Sequence, residues 1–275
     1  MNSIFKYMKF RKEFFEGFLL KLSRFGEFND PFEMIPGYEL LTLDQEYINY
    51  RLENYPNEWE SYNYNYIDTM AGVRASLGVI CFTSKVDNLL MWSHYGNNHE
   101  GICVEFDANS RFFNGQYNDR ESPFFEEING YDYKDIYANV GVLKKVKYTE
   151  KRPLIFDTRD LIKDTESWLV KSKEWEYEDE YRLILPLDWT EMKQVNGLQM
   201  SFLKIDYNII KSVTMGCQVE KSVKKEIYKY CSKLSIPLKE SFISATDYKL
   251  DIVDYDPNNH SKYLNELNLH RITRY

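Results

Sequence analysis

Cysteine, histidine, proline and glycine are all scarce in these 275 residues: 4 Cys, 4 His, 8 Pro and 12 Gly. The cysteines, Cys81, Cys103, Cys217 and Cys231, form no CxxC pair and no dense framework. That excludes a disulfide-stapled scaffold and points to reduced, buried thiols of a cytoplasmic protein. His94 and His99 are five apart, a spacing that puts them on different faces of a helix, and His260 and His270 supply no fourth ligand, so no metal is expected. There is no GxSxG, P-loop, GxGxxG or HExxH motif, which leaves hydrolase, nucleotidase and Rossmann-dehydrogenase readings without support. No stretch approaches eighteen apolar residues, and MNSIFKYMKFRKEFF lacks the apolar core of a secretory leader. The expectation is a soluble, cytoplasmic protein with no membrane partner. A net charge of −8 argues against broad, charge-driven nucleic-acid binding.

What the sequence has in quantity is aromatic side chains, 23 Tyr and 17 Phe. Tyrosine brings area to bury and a hydroxyl that needs a partner, so it suits cores and ligand-facing surfaces alike. The length is ample for a sizeable core. Residues 4–20 read as a short strand holding Lys6-Tyr7 and then a helix-like stretch, with a second strand over 22–25. Residues 43–76 and 157–173 look helical. LGVICFTS (77–84), GICVEFD (101–107), LKKVKYTE (143–150), EYRLILPL (180–187), LKIDYN (203–208), VTMGCQV (213–219) and KLDIVDYD (249–256) read as strands. Residues 219–236 are the clearest helix, with Val219, Val223, Ile227 and Cys231 four apart. The pattern predicts one α+β domain over 1–275, with a loop insertion at 108–140 and a polar tail from about residue 257.

Three stretches carry candidate chemistry. CFTS (81–84) ends a strand in adjacent hydroxyls, which either bind a ligand or cap the following turn. FNDPFE (28–33) has the Asx-turn residues Asn29 and Asp30 before Pro31, with Glu33 as ordinary loop packing. In KEWEYEDEYRLIL (173–185), strand geometry puts Glu174, Glu176, Glu178, Glu180 and Arg182 on one face. Such a face is either solvated or, at Glu178 and Glu180, turned into a cleft where cations must meet the carboxylates.

In chain order, Lys6-Tyr7, Asn29 to Phe32, Cys81 to Ser84, Asp87 to Tyr95, Gly101 to Cys103 and Trp175 to Arg182 resemble the pattern of the bacterial family DUF2971, a domain of unknown function. The resemblance covers residue 4 to about residue 220, with Thr83 where the family usually has serine. The order of parts is also similar to the ADP-ribosyltransferase superfamily. There a basic or histidine residue sits on a first strand, a second strand ends in hydroxyls, and a later strand opens with a glutamate or Glu-x-Glu. That similarity implies an α+β fold of mixed, mostly antiparallel split sheets around a cleft with helices packed outside.

It also implies NAD as substrate. Breaking the nicotinamide–ribose bond develops an oxocarbenium ion, which Glu180 would stabilise while holding a ribose hydroxyl. Glu178 would serve as general base toward the acceptor. Thr83 and Ser84 would shape the nicotinamide pocket, Tyr7 or Tyr95 would stack on the ring, His94 or Tyr95 would reach the ligand, and Lys6 or Arg24 would meet the pyrophosphate. Between strand and ligand, residues 87–94 would form a helix capped by Asp87, packing Trp92 and Tyr95 and ended by Gly96-Asn97-Asn98. The implied role is an enzyme of a bacterial toxin or phage-defence system whose acceptor is a protein, nucleic acid or small molecule. Two other classes compete: a ligand-binding or sensor module of the same fold without turnover, and a metal-dependent nuclease built on the acidic cluster.

Overall fold

The computed structural model describes residues 2–33, 37–38, 53–54, 75–115, 139–155, 166–195 and 197–257. In chain order the first strands are β1 (Ser3–Met8), β2 (Leu19–Leu22), β3 (Gly37–Tyr38), β4 (Leu77–Thr83) and β5 (Ile102–Asp107). Five short or central strands follow: β6 (Lys144–Lys145), β7 (Lys147–Thr149), β8 (Leu154–Ile155), β9 (Val170–Ser172) and β10 (Glu180–Pro186). The last are β11 (Glu191–Val195), β12 (Leu198–Lys204), β13 (Ile210–Met215), β14 (Leu238–Ile243) and β15 (Leu250–Asp254). The α-helices that lie wholly among the described residues are α1 (Lys12–Gly17), α2 (Leu89–His94) and α3 (Lys221–Lys233). These elements fall into two compact units, each assembled from separate stretches of chain. One comprises Met1–Phe18, Phe82–Asn109 and Ile205–Tyr275, the other Leu19–Cys81 and Ser110–Lys204.

In the first unit β1 lies between β5 and the end of β4, antiparallel to both, with Tyr7 opposite Cys103 and Phe5 opposite Thr83. β5 continues antiparallel into β13, β13 pairs in parallel with β14, and β14 forms an antiparallel pair with β15. A parallel neighbour requires a crossover, and α3 supplies it. Its buried Ile227 and Cys231 are four residues apart and form the stripe that faces the core. The helix read over 219–236 is observed over 221–233.

The second unit is organised around the first five residues of β4, the apolar run Leu77 to Cys81. β10 is the neighbour of β4, and β6 pairs with β10 through Tyr181–Lys145 and Arg182–Lys144. Phe25, Leu77, Val79, Val140, Trp168 and Ile184 pack together as its core. A three-stranded sheet of β11, β12 and β2 is antiparallel throughout, while β7 and β9 pair in parallel. The protein is thus mixed α and β, as its pattern predicted, and its main sheet is mostly antiparallel.

Several local expectations are corrected. The second strand is Leu19–Leu22, not 22–25; Phe25–Glu27 is a 3-10 turn. Of the helix expected over 157–173, residues 157–165 lie outside the described residues, Glu166–Leu169 form a 3-10 turn and Val170–Ser172 are strand. LKIDYN holds only the end of β12, after which Asp206 accepts a hydrogen bond from the Asn208 amide and caps a 3-10 turn. Strands β11 and β14 have no counterpart in the sequence reading. Most of 43–76, most of the 108–140 segment and the tail beyond 257 lie outside the described residues.

Candidate functional site

Lys171 and Arg182 are both buried in the second unit, each among carboxylates. Four local structures bring the charges together. The chain turns at Asp30, whose Oδ1 accepts the Phe32 amide at 2.9 Å, and this Asx turn delivers Glu33 inward at 4% exposure. Lys171 is the middle residue of β9. Glu178 ends a 3-10 turn over Lys173–Glu178, and Asp179 then takes left-handed backbone (φ 43°) before Glu180 opens β10. Arg182 follows two residues on, on the same face of the strand as Glu180.

The contacts are dense. Arg182 Nε donates to Glu180 Oε1 at 2.8 Å and Nη2 to Oε2 at 3.0 Å, while Nη1 donates to the Trp168 carbonyl at 2.6 Å. Nη2 also donates to Glu33 Oε1. Lys171 Nζ donates to Glu178 Oε2 at 2.6 Å and to Glu180 Oε2 at 3.3 Å, and stands 4.7 Å from the centre of the Trp175 ring. The Glu180 amide donates to the Tyr148 hydroxyl at 2.7 Å.

Burial opposes ionisation of Glu180, but Arg182 and then Lys171 outweigh it and hold the carboxyl at about 2. Burial also pulls Lys171 down, and Glu180, Glu33 and Glu178 together reverse that and hold it above the ordinary lysine range. Glu33 goes the other way: burial raises its carboxyl further than Arg182 and Lys171 lower it. Its Oε2 accepts no hydrogen bond, although Lys171 Nζ lies 3.3 Å away, within ion-pair range. Three carboxylates against two cations leave one negative charge uncompensated when all are ionised.

Beside this cluster is a pocket of about 250 Å³, lined by Glu33 and Lys171 together with Asp30, Phe32, Arg152 and Ser172 among others. Among the described residues, no group of three or more His, Cys, Asp or Glu is arranged to hold a metal ion.

The sequence-predicted residues divide between the units. Glu178 and Glu180 are brought together in the second, through Lys171. Glu174 and Glu176 are exposed, so the acidic run is part solvated surface and part buried cluster. The uniform strand face does not form, because the 3-10 turn and Asp179 precede the strand. Arg24, in the same unit, is exposed at the start of the Phe25–Glu27 turn.

The remaining candidates lie in the first unit. Thr83 is buried and its Oγ1 accepts the Lys85 amide at 3.2 Å, the turn-capping alternative of the CFTS reading, and Ser84 is half-buried. Tyr7 is buried, donates its hydroxyl to the Lys85 carbonyl at 2.9 Å and meets Trp92 edge-on at 4.9 Å. Lys6 Nζ is 5.7 Å from the centre of the Phe82 ring. His94 is exposed and Tyr95 half-buried, with ring centres 6.3 Å apart. The helix α2 is capped by Asn88, not Asp87: Asn88 Oδ1 accepts the Leu90 and Met91 amides at 2.9 and 3.1 Å.

Sequence reasoning missed Glu33, Lys171 and Arg182 as members of one cluster. Glu33 was read as loop packing, yet it is as buried as Glu180. The available signal was arithmetic: buried carboxylates need cations, and Arg182 shares the strand face of Glu180.

Residues 91–183 match the family described as protein of unknown function (DUF2971), the family the motifs resemble. That range holds Met91-Trp92, Gly101 to Cys103 and Trp175 to Arg182, whereas Lys6-Tyr7, Asn29 to Phe32 and Cys81 to Ser84 precede it. No curated protein and no solved structure matches the chain.

Proposed function

We propose that this protein is an ADP-ribosyltransferase-like enzyme that uses NAD, with Glu180 as its anionic carboxylate, serving a bacterial toxin or phage-defence role. The observation that carries the reading is Glu180, which opens β10 as a buried carboxylate gripped by Arg182 and Lys171 and kept ionised by them. The split-sheet ADP-ribosyltransferase architecture belongs to the same proposal.

The chemistry asks for a carboxylate that stays ionised beside a developing oxocarbenium ion, and Glu180 is held ionised by its cations. Nicotinamide leaves with the electron pair of the C–N bond, the acceptor's nucleophile bonds to the ribose carbon, and Glu178 takes the acceptor's proton.

A second reading, binding without turnover, is favoured by a specific contact pattern. Both oxygens of Glu180 are already engaged by Arg182, and one also by Lys171, so much of its charge is compensated before any substrate arrives.

One experiment separates the two: nicotinamide release from NAD by purified protein, with EDTA present, beside Glu180→Gln checked for folding by circular dichroism. Release that survives EDTA and disappears in the variant supports the enzyme. A rise in melting temperature with NAD and no release supports the binding module. Neither release nor a thermal shift sinks both NAD readings, and release abolished by EDTA turns the question to metal-dependent chemistry.

A further inference from the structure

The β11–β12 hairpin of the second unit has an outer edge whose chemistry is self-complementary. Val195 stands opposite Leu198, which leaves two residues between the strands, and Gly197 has the positive φ (79°) that so tight a turn asks for. A turn of that length makes Val195–Leu198 a hydrogen-bonded pair, and such pairs alternate with non-bonded ones along an antiparallel ladder. Val195, Lys193 and Glu191 therefore direct their backbone groups at Leu198, Met200 and Phe202. Met192 and Gln194 direct theirs the other way, off the sheet. Among the described residues β12 is the one strand that pairs with β11. Glu191, Met192, Lys193 and Gln194 are all exposed, Met192 by 61%.

We propose that β11 is the contact through which two copies of this chain pair, antiparallel around a two-fold axis at Met192. Outward backbone groups must meet outward groups, so few symmetric registers exist. With Met192 opposite the partner's Met192, Glu191 meets the partner's Lys193 and Lys193 meets the partner's Glu191. Both are pairs of the closer, non-hydrogen-bonded kind, and opposite charges placed so attract. The other registers lose this. An axis at Lys193 sets lysine against lysine, one at Glu191 sets glutamate against glutamate, and one at Gln194 leaves both charges facing Gly197 and Val195. Edge strands are commonly guarded by charge, but a guard works by repelling its own copy. Glu191 and Lys193 alternate in sign and attract theirs, with an exposed methionine between them. The strand's complement is thus its own sequence, which selects a second copy over a strand of another protein. Two five-residue strands bury far less than the roughly 1,600 Å² of a standard stable interface, so the pairing is reversible and concentration-dependent. The contact stands apart from the NAD reading, which assigns no role to β11.

The test is sedimentation velocity of the full chain from about 5 to about 500 µM, a range suited to a small, weak interface. Wild type is expected to pass from monomer to dimer. Lys193→Glu and Glu191→Lys are each expected to weaken the dimer at least about tenfold, because each sets like charges across the axis. An equal mixture of the two is expected to dimerise again, since one presents two negative charges and the other two positive. Met192→Pro keeps both charges but removes an outward amide, and is expected to stay monomeric. Circular dichroism establishes that the variants are folded. Where one is not, amide exchange in wild type decides: the Met192 amide is expected to slow as concentration rises, and the Lys193 amide, bonded within the hairpin, to stay unchanged. A wild type still monomeric at about 500 µM, a dimer that survives both charge reversals, or a mixture that stays monomeric overturns the inference.

Discussion

Arg182 grips Glu180 with two nitrogens, Nε on one carboxylate oxygen at 2.8 Å and Nη2 on the other at 3.0 Å, and Arg182 has no exposed surface. A two-point grip between a fork of donors and a carboxylate is the strong form of ion pair. It is also one whose partners cannot be removed singly without leaving a bare charge in a dry place. Arg182→Met is therefore expected to destabilise the protein by about 3–5 kcal/mol. Arg182→Lys is expected to recover only part of that, because an ammonium cannot present the fork. Urea denaturation with an unchanged slope measures both. A loss below about 1 kcal/mol in Arg182→Met would mean that the pair is solvated in solution.

Glu180 and Glu33 pull the pH dependence in opposite directions. Glu180, held at about 2, is below the value of about 4.3 it takes in the unfolded chain. Its contribution is thus complete above pH 4.3 and lost as pH falls toward 2. Glu33 is raised, so its contribution is complete below its unfolded value and lost as pH rises through the folded one. Glu180→Gln is expected to flatten the acid limb of stability between about pH 4.3 and 2. Glu33→Gln is expected to leave that limb and remove the loss on its neutral side. Denaturation profiles of the three proteins from pH 2 to 7 decide. The same acid limb in Glu180→Gln as in wild type would count against the cluster as drawn.

The sequence made β1, β4, β5, β10 and α3 readable because each is a long, periodic, half-buried or fully buried run. Its failures have physical causes. β9 is three residues long and begins straight after a 3-10 turn, too short for any periodicity to register. β11 is exposed along nearly its whole length, so no apolar alternation marks it. At the site, the burial of Glu178 and Glu180 was one of two readable outcomes, and the structure reaches it through a left-handed Asp179 that no strand pattern encodes. Glu33 was hidden because its partner Arg182 lies 149 residues away, a separation across which local pattern carries no information.

Asn88 and Asp87 offer a contrast within two residues. Asn88 accepts two amides at the start of α2, and Asp87 is exposed. Asn88→Ala is expected to cost about 1 kcal/mol, and Asp87→Ala to stay within about 0.5 kcal/mol. Guanidinium melts of both variants check the assignment; the reverse ranking would restore Asp87 as the cap.

The backbone after α2 is knitted to the end of β13, and two glycines make that approach tolerable. The Gly101 amide donates to the Gly96 carbonyl at 2.8 Å, the Gly216 amide to the Gly101 carbonyl at 3.0 Å, and the Gln218 amide to the His99 carbonyl at 3.0 Å. A Cβ on Gly216 would overlap the His99 carbonyl, with the carbonyl carbon at 2.7 Å, and one on Gly101 would overlap the Met8 and Gly96 carbonyls. Backbone atoms cannot swing aside as a side-chain tip can. His99 itself, with Asn97 and Asn98, is already in left-handed backbone at φ 51–64°, leaving little freedom to retreat. Gly216→Ala and Gly101→Ala are each expected to cost about 3 kcal/mol or more, the range of substitutions that force backbone to move. Gly26→Ala, with nothing within 4 Å of its added carbon, is the matched control and is expected to stay within about 0.5 kcal/mol. Thermal denaturation of the three ranks them. A Gly216→Ala protein that melts with the wild type would show that the His99 segment does not lie against the end of β13.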